Sequence, residues 1–443
     1  MNNSFLFLSS GIKYPFPKFL FPFLLVLVYL GTSNTDIFAQ KRDSLPINKK
    51  SKNLDDFLGM GLKNSPLLNE NQNLFFRSQL DSAKIKAGQK PQISLGSTAQ
   101  YYPSFGSYGY NQAISNGGNY LATIGFTQPL FNRYLIKTQI NSIQIKKDSL
   151  KNSGKISLLE IKRSIINQYI LSYADFRQIQ FQNEILDLYL EQEGIFKKLV
   201  QKGIFKQSDY LTFLVSRQAQ EIAITQSRIS FHNNLSQLNS LCGIADSTTY
   251  DLEKPKIERG NLRPLHSTFQ YHKFEVDSLS LLGQRDIIAS AYRPKINWFA
   301  DAGYESPNFY QFYKSFGASI GISLSLSLYD GHQRRIMNKQ LDLDERTRLG
   351  YLNFFKNQYQ EQILNLEKQL SDLELLEAQL DSQIKNNQTL VDIDKKLLNI
   401  GDLKINDLIL AINNYKSLQF YLTQVEVNRL SILNQLNFWS TQY

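Results

Sequence analysis

Two very long stretches without proline constrain this chain more than anything else in it. From Asn132 to Lys202 there is no proline, and glycine occurs only at Gly154 and Gly194. Proline inside a helix removes a hydrogen bond and clashes with the preceding turn, so its absence leaves room for one continuous helix. At 1.5 Å per residue that helix is roughly 100 Å long. A second run extends from about Gln333 to Ile400. Its apolar residues recur at steps of three and four, at Leu352, Tyr359, Ile363, Leu366, Leu370, Leu373, Leu380, Ile384, Val391 and Leu398. Leu418, Leu422, Val425, Ile432, Leu436 and Trp439 continue the seam after it. A sustained heptad-like seam predicts coiled-coil packing. A compact domain cannot hold such helices, so they must project from something else.

The chain is also an internal duplication. Lys90-Pro91-Gln92-Ile93 opens an alternating segment in the first half, and Arg293-Pro294-Lys295-Ile296 does so in the second. Gly203 and Gly401 are 198 positions apart, as are Asp209 and Asp407, while Pro91 and Pro294 are 203 apart. Each repeat reads as helix, two strands, long helix, glycine turn and long helix. The predicted strands are 92–102 and 120–130 in the first repeat, and 295–305 and 317–329 in the second. In the last of these, Ala318, Ile320, Ile322, Leu324, Leu326 and Leu328 face one way, and small polar residues face the other. Ile296, Trp298, Ala300, Ala302 and Tyr304 likewise share a face. About ten residues of apolar-out, polar-in alternation suit a membrane barrel strand. A soluble sheet packed on one face shows the same alternation.

Gly203 and Gly401 suit the reversal of each hairpin, because glycine tolerates positive φ at a helix end. Asp209 and Asp407 follow where a return helix starts, and an acid there complements the positive end of the dipole. A role for Asp407 in gating a channel is the alternative reading.

The N-terminus reads as an export signal over residues 1–39. Lys13 and Lys18 precede an apolar run from Phe19 to Leu30, and Ala39 stands before Gln40 as a cleavage point. The run is shorter than a bilayer-spanning helix. Two repeats then divide the chain at 40–264 and 265–443. The lone cysteine, Cys242, excludes an intramolecular disulfide and reads as a buried helix-end residue. Forty-nine basic residues against thirty-nine acidic ones give a net charge of +10. An export signal argues against nucleic acid as the partner. The basic residues read as dispersed along polar helix faces, serving solvation or lipid-headgroup contact. The polar segments 40–56 and 246–264 read as a loop or collar midway along the helices.

Catalytic constellations are thin. His266 and His272 are six apart and fall on different helix faces, a poor metal pair. No zinc-binding histidine pair, phosphate loop or nucleophile elbow is present, so no enzyme activity and no cofactor is expected. Four strands cannot close an open barrel, and an unpaired edge in lipid costs several kcal/mol per backbone group. Strands in a membrane would therefore have to be shared among copies, with the helices continuing the wall.

The sequence resembles the TolC-like outer-membrane efflux proteins over about Leu54 to Trp439. The resemblance rests on Asn64-Ser65-Pro66 leading by a helix into Lys90-Pro91-Gln92-Ile93, and on Gly125-Phe126-Thr127-Gln128-Pro129-Leu130-Phe131 closing a hairpin. The duplicated glycine–aspartate turns and Leu238-Asn239-Ser240-Leu241-Cys242-Gly243 complete it. It implies an α+β membrane protein. A homotrimer would pool four strands per chain into a twelve-stranded outer-membrane barrel, with helical hairpins forming a periplasmic α-barrel. It also implies contact with outer-membrane lipid, a periplasmic adaptor protein as partner, and an inner-membrane transporter supplying the energy for efflux or type I secretion. Asp407 matches one acidic gate position of such proteins; Leu410 stands where a second acid can occur. The alternative is a periplasmic coiled-coil scaffold or adaptor without a pore. Its single hairpin would lack the duplicated strand pair.

Overall fold

The computed structural model describes residues 51–102, 108, 118–130, 132–245, 250–262, 264–307 and 312–440. The export segment 1–39 and the polar residues up to 50 lie outside the described residues. In chain order come β1 (Ser51–Lys52), α1 (Leu54–Asn64), α2 (Pro66–Ala87), β2 (Gln92–Tyr101), β3 (Gly118–Leu130), α3 (Arg133–Gln201) and α4 (Gln207–Leu241). They are followed by β4 (Asp251–Leu252), α5 (Phe269–Ala291), β5 (Lys295–Ser306), β6 (Phe316–Ser325), α6 (Gln333–Ile400) and α7 (Ile405–Ser440).

Local chemistry sets several of these boundaries. Asn53 and Asp56 exchange side-chain and backbone hydrogen bonds at 2.9 and 3.0 Å, a capping box that starts α1. Ser65 then caps α2, with Pro66 at its first position, where the missing N–H has no helical partner to lose. The α3 and α6 spans run 69 and 68 residues without a break.

The sheet is antiparallel in the order β2-β3-β5-β6, so the two repeats meet at β3 and β5. Strand β6 ends at Ser325 rather than reaching Tyr329, because Ser325 pairs with Lys295, the first residue of β5, and Pro294 precedes it. Strand β2 stops at Tyr101, one residue short of Tyr102, while β3 starts two residues earlier, at Gly118. Strand β5 gains Ser306, which pairs with Tyr120, and β6 gains Phe316, which pairs with Tyr304.

Below the sheet the helices lie side by side. Near the strands α2 packs on α3, α3 on α5 and α5 on α6; farther down, α4 packs on α3, α3 on α7 and α7 on α6. A knot of buried side chains holds the middle. Phe57 and Tyr169, both fully buried, meet edge to face at 5.7 Å, and the Tyr169 hydroxyl donates to the carbonyl of Glu253 at 2.7 Å. The short parallel pair β1–β4 sits here. The described part of the polar segment then runs across the layer as a strap. Lys254 pairs with Glu426 and Arg259 with Glu367, both at 2.6 Å, and Asn437 clasps Gly260 and Glu258 at 2.7 and 2.8 Å. Cys242 caps α4 inside this knot, its Sγ 3.4 Å from the carbonyl of Phe57 and its thiol pushed up by burial to about 11. A thiol held neutral there packs and does not react.

Candidate functional site: a two-faced wall with open edges and a closed tip

Register fixes which residues share a face of the sheet. On one face lie Ile93 and Leu95 of β2, Ile124 and Phe126 of β3, Trp298 and Ala300 of β5, and Ile320 and Ile322 of β6. No charged residue falls on that face within the strands. Among the described residues nothing covers its outer strands: Leu95 is 80% exposed and Ile320 78%. On the opposite face lie Ser94, Thr98, Thr123, Asn297, Asp301, Ser319 and Ser323, with Ser319 donating to Asp301 at 2.6 Å. A soluble sheet would bury the apolar face, so this sheet is not one packed on its own chain. Rings gather towards both ends of the apolar face, with Phe126 and Trp298 4.5 Å apart at one and Tyr304 and Phe316 6.0 Å apart at the other.

Both sheet edges, β2 and β6, lack a strand partner among the described residues. The helical layer has the same two sides. Helix α6 continues the β6 edge, and α2 and then α4 continue the β2 edge. These edge helices carry a second apolar stripe. On α4, Phe213, Ile224 and Phe231 are buried, while Leu211, Val215, Ile222 and Ile229 are exposed. At 3.6 residues per turn the exposed set lies opposite the buried one. On α6, exposed Ile336, Leu343, Phe354, Leu375 and Ile393 oppose buried Leu352, Tyr359, Leu370 and Ile384 in the same way. One neighbour satisfies only one stripe, so each edge helix is built for two.

At the far end both hairpins reverse through the same motif. Gly203 and Gly401 have φ of 76° and 78°, the left-handed region that an L side chain enters only at a cost of about 1–2 kcal/mol. Gly203 N–H donates to the carbonyl of Val200 and Ile204 N–H to that of Leu199; Gly401 and Asp402 repeat the pattern on Leu398 and Leu397, all at 2.9–3.0 Å. These are Schellman ends, which satisfy the last helical carbonyls. The turns touch, since a Cβ at position 401 would lie 2.9 Å from Cγ2 of Ile204. Behind them Phe196, Phe213, Leu398, Leu408 and Ile412 are fully buried.

The aspartates after the turns differ. Asp209 accepts the Lys206 N–H at 3.1 Å and so caps α4. Asp407 sits in the first turn of α7 with its side chain exposed, and Leu410, one turn on, is exposed too. A further carboxylate emerges that the sequence reading passed over. Asp394, buried on the α6 seam between Val391 and Leu398, is pushed above the usual carboxylate range by burial and then by Asp407. The two hairpins are tied by Lys395 to Glu191 at 3.4 Å. A second tie runs from Lys416, whose amine burial pushes down, to Gln220 at 3.1 Å.

His272 pairs with its helix neighbour Glu275 at 2.9 Å, and among the described residues no three His, Cys, Asp or Glu side chains group to hold a metal ion. No described helix is long and apolar enough to cross a membrane; that leaves the strands untouched.

Neither the protein-family models nor the curated proteins include a match to the sequence. Solved structures do match its fold. The outer membrane protein VceC from Vibrio cholerae superposes with a TM-score of 0.70 at 14% identity, covering 88% of this chain and 96% of that one. The CmeC outer membrane channel of Campylobacter jejuni gives 0.69 at 11% identity over 88% and 86% of the two chains. The MtrE outer membrane channel of Neisseria gonorrhoeae, in its open state, gives 0.68 at 12% identity over 87% and 88%.

Proposed function

Starting from a TolC-like channel fold, we propose that this chain is the outer-membrane exit duct of an efflux or secretion pathway and works as a homotrimer. The observation that carries the reading is the sheet with one bare apolar face and two unpaired edges. In lipid such edges must be closed, and four strands are too few to close on themselves around a lumen. Joining β6 of one copy to β2 of the next over three copies closes a twelve-stranded wall. The same step lays α6 on the neighbour's α2 and α4, which occupies the second stripes of α4 and α6. The polar face, with Asp301 and the serines, then lines the lumen, and the apolar face meets lipid.

Such a duct performs no bond chemistry. Energy comes from an inner-membrane transporter, joined through a periplasmic adaptor at the helical end. The tip is the gate in this reading. Three Asp407 carboxylates facing one another would repel, while Leu410 adds no charge beside them. Opening requires the two hairpins of each chain to part, against the Lys395–Glu191 and Lys416–Gln220 ties.

The test is the mass of the purified protein in detergent together with its uptake into liposomes. A species of three copies that inserts is expected. A water-soluble monomer that ignores liposomes would contradict the reading and favour a periplasmic scaffold.

A further inference from the structure

Positive charge is not spread evenly over the polar helix faces. At the level where the sheet passes into the helices it outweighs negative charge. Each of the four strand–helix junctions contributes: Lys90 before β2, Arg133 and Lys137 in the first turns of α3, Arg293 before β5, and Arg334 and Arg335 at the start of α6. All six side chains are exposed. The single carboxylate in the same loops, Asp330, is already engaged by the Arg334 N–H at 2.8 Å and by the Tyr292 hydroxyl.

Three further features point the same way. Helices α3 and α6 both begin here, neither has an acid in its first turn, and neither N-cap side chain makes a capping bond. Unsatisfied N–H groups and the dipole favour an anion at such an end; at α6 the Asp330 carboxylate takes one backbone N–H, that of Arg334, while α3 begins with Arg133 and no acid. Tyrosines form a layer at this level. The Arg293 guanidinium lies 3.4 Å over the Tyr134 ring, Arg334 lies 5.5 Å over Tyr292, and Tyr329 is exposed. Tyrosine favours the depth of lipid headgroups. Finally, a cavity of about 770 Å³ opens beside the first turns of α3, lined by Arg133, Tyr134, Lys137 and Asn141, with Asp286 of α5 at its side.

Three of the four junctions set a tyrosine close to an arginine beneath the apolar face, Tyr134 with Arg133, Tyr292 with Arg293 and Tyr329 ahead of Arg334, and the fourth contributes Lys90. We infer that this belt binds the phosphodiester headgroups of anionic glycerophospholipids in the leaflet on the helical side of the sheet. The inference rests on the reading that the sheet lies in a membrane. A lipid fits better than a free anion because the apolar face directly above the belt accommodates acyl chains, which a free phosphate lacks. Each basic group near a charged membrane surface contributes roughly 1 kcal/mol, so several together give a preference for anionic lipid of about tenfold or more.

The experiment is native mass spectrometry of the full chain taken from mixed micelles of phosphatidylglycerol and phosphatidylcholine. Wild type should retain phosphatidylglycerol at least about tenfold over phosphatidylcholine. The Arg133→Gln/Lys137→Gln/Arg293→Gln variant should lose that preference. A tip control, Lys385→Gln/Lys396→Gln/Lys404→Gln, should keep it. Equal retention of both lipids by wild type overturns the inference, and that comparison stands even if the triple variant does not fold. Displacement of the lipid by millimolar inorganic phosphate also overturns it, leaving a plain anion site. Wild type that enters neither micelles nor liposomes sinks the membrane reading itself, a separate result from insertion without lipid preference.

Discussion

At the tip, α4 and α7 start with Asp209 and Asp407 in their first turns, whereas at the foot α3 starts with Arg133 and α6 with Arg334 and Arg335. The tip aspartates answer the helix dipole from within the chain, and behind them Phe196, Leu398 and Leu408 are fully buried. The foot leaves the start of α3 without a capping side chain, Tyr134 and Tyr329 exposed, and its six cations facing, among the described residues, only Asp330 and Asp286. One end is completed by its own residues; the other depends on what surrounds it. The same contrast runs across the layer, where the inner stripe of α4 is filled and its outer stripe, Leu211 to Ile229, is bare.

This contrast is open to tests of decreasing size. Removing a packed ring at the tip should cost most: Phe196→Ala should destabilise by about 3–5 kcal/mol, read from urea unfolding and from new protease cleavage near the turns. Tyr134→Ala at the foot should cost no more than about 1 kcal/mol. Equal losses at the two ends would erase the distinction. Next come the turns. Gly401→Ala should cost about 1–2 kcal/mol from its left-handed backbone, and more than Gly203→Ala, because only at 401 does a Cβ press on Ile204; a Cβ at 203 meets nothing within 4 Å.

Helix-start charges give smaller and opposite effects. Asp209→Ala should lose about 0.3–1 kcal/mol, whereas Arg133→Glu should gain about that much in neutral detergent and lose it in phosphatidylglycerol. Thermal melts of both variants in both media decide the point. The smallest effect is one of pH. The folded Asp394 carboxyl titrates above its unfolded value, so its protonated form favours the fold. Its contribution is present below the unfolded value and fades as pH rises through the folded one. The tip should therefore be somewhat tighter at acidic than at neutral pH, and Asp394→Asn should flatten that dependence in hydrogen exchange at α6 and α7.

Where one physical rule acted alone, the sequence was informative. The heptad-like period marks α6 from Gln333 to Ile400, and of the residues it selects from Leu352 to Leu398 all are buried except Ile363 and Leu373, which are half-buried. Alternation found the strands but overran β6 to Tyr329. Alternation reports which way side chains point, and the pairing ends where Pro294 ends β5. The outer stripes of α4 and α6 hid inside the same period as the inner ones, because a helix apolar on two opposite sides has no single face to read. Asp394 carries no signal in the sequence, because a polar residue inside an apolar seam is marked only by its burial and by Asp407 near it. The basic belt was the least legible feature, since its residues come from junctions as far apart in the chain as Lys90 and Arg335 and meet only through the register of the sheet.

Planar-bilayer recording on the purified protein most directly tests the central claim that open edges on one chain are closed by other copies into a duct. The account predicts discrete, uniform current steps, abolished by Ile322→Arg on the apolar face and retained by Ser323→Arg on the polar face. A protein that adds no conductance to the bilayer, or whose steps survive both substitutions alike, would contradict it.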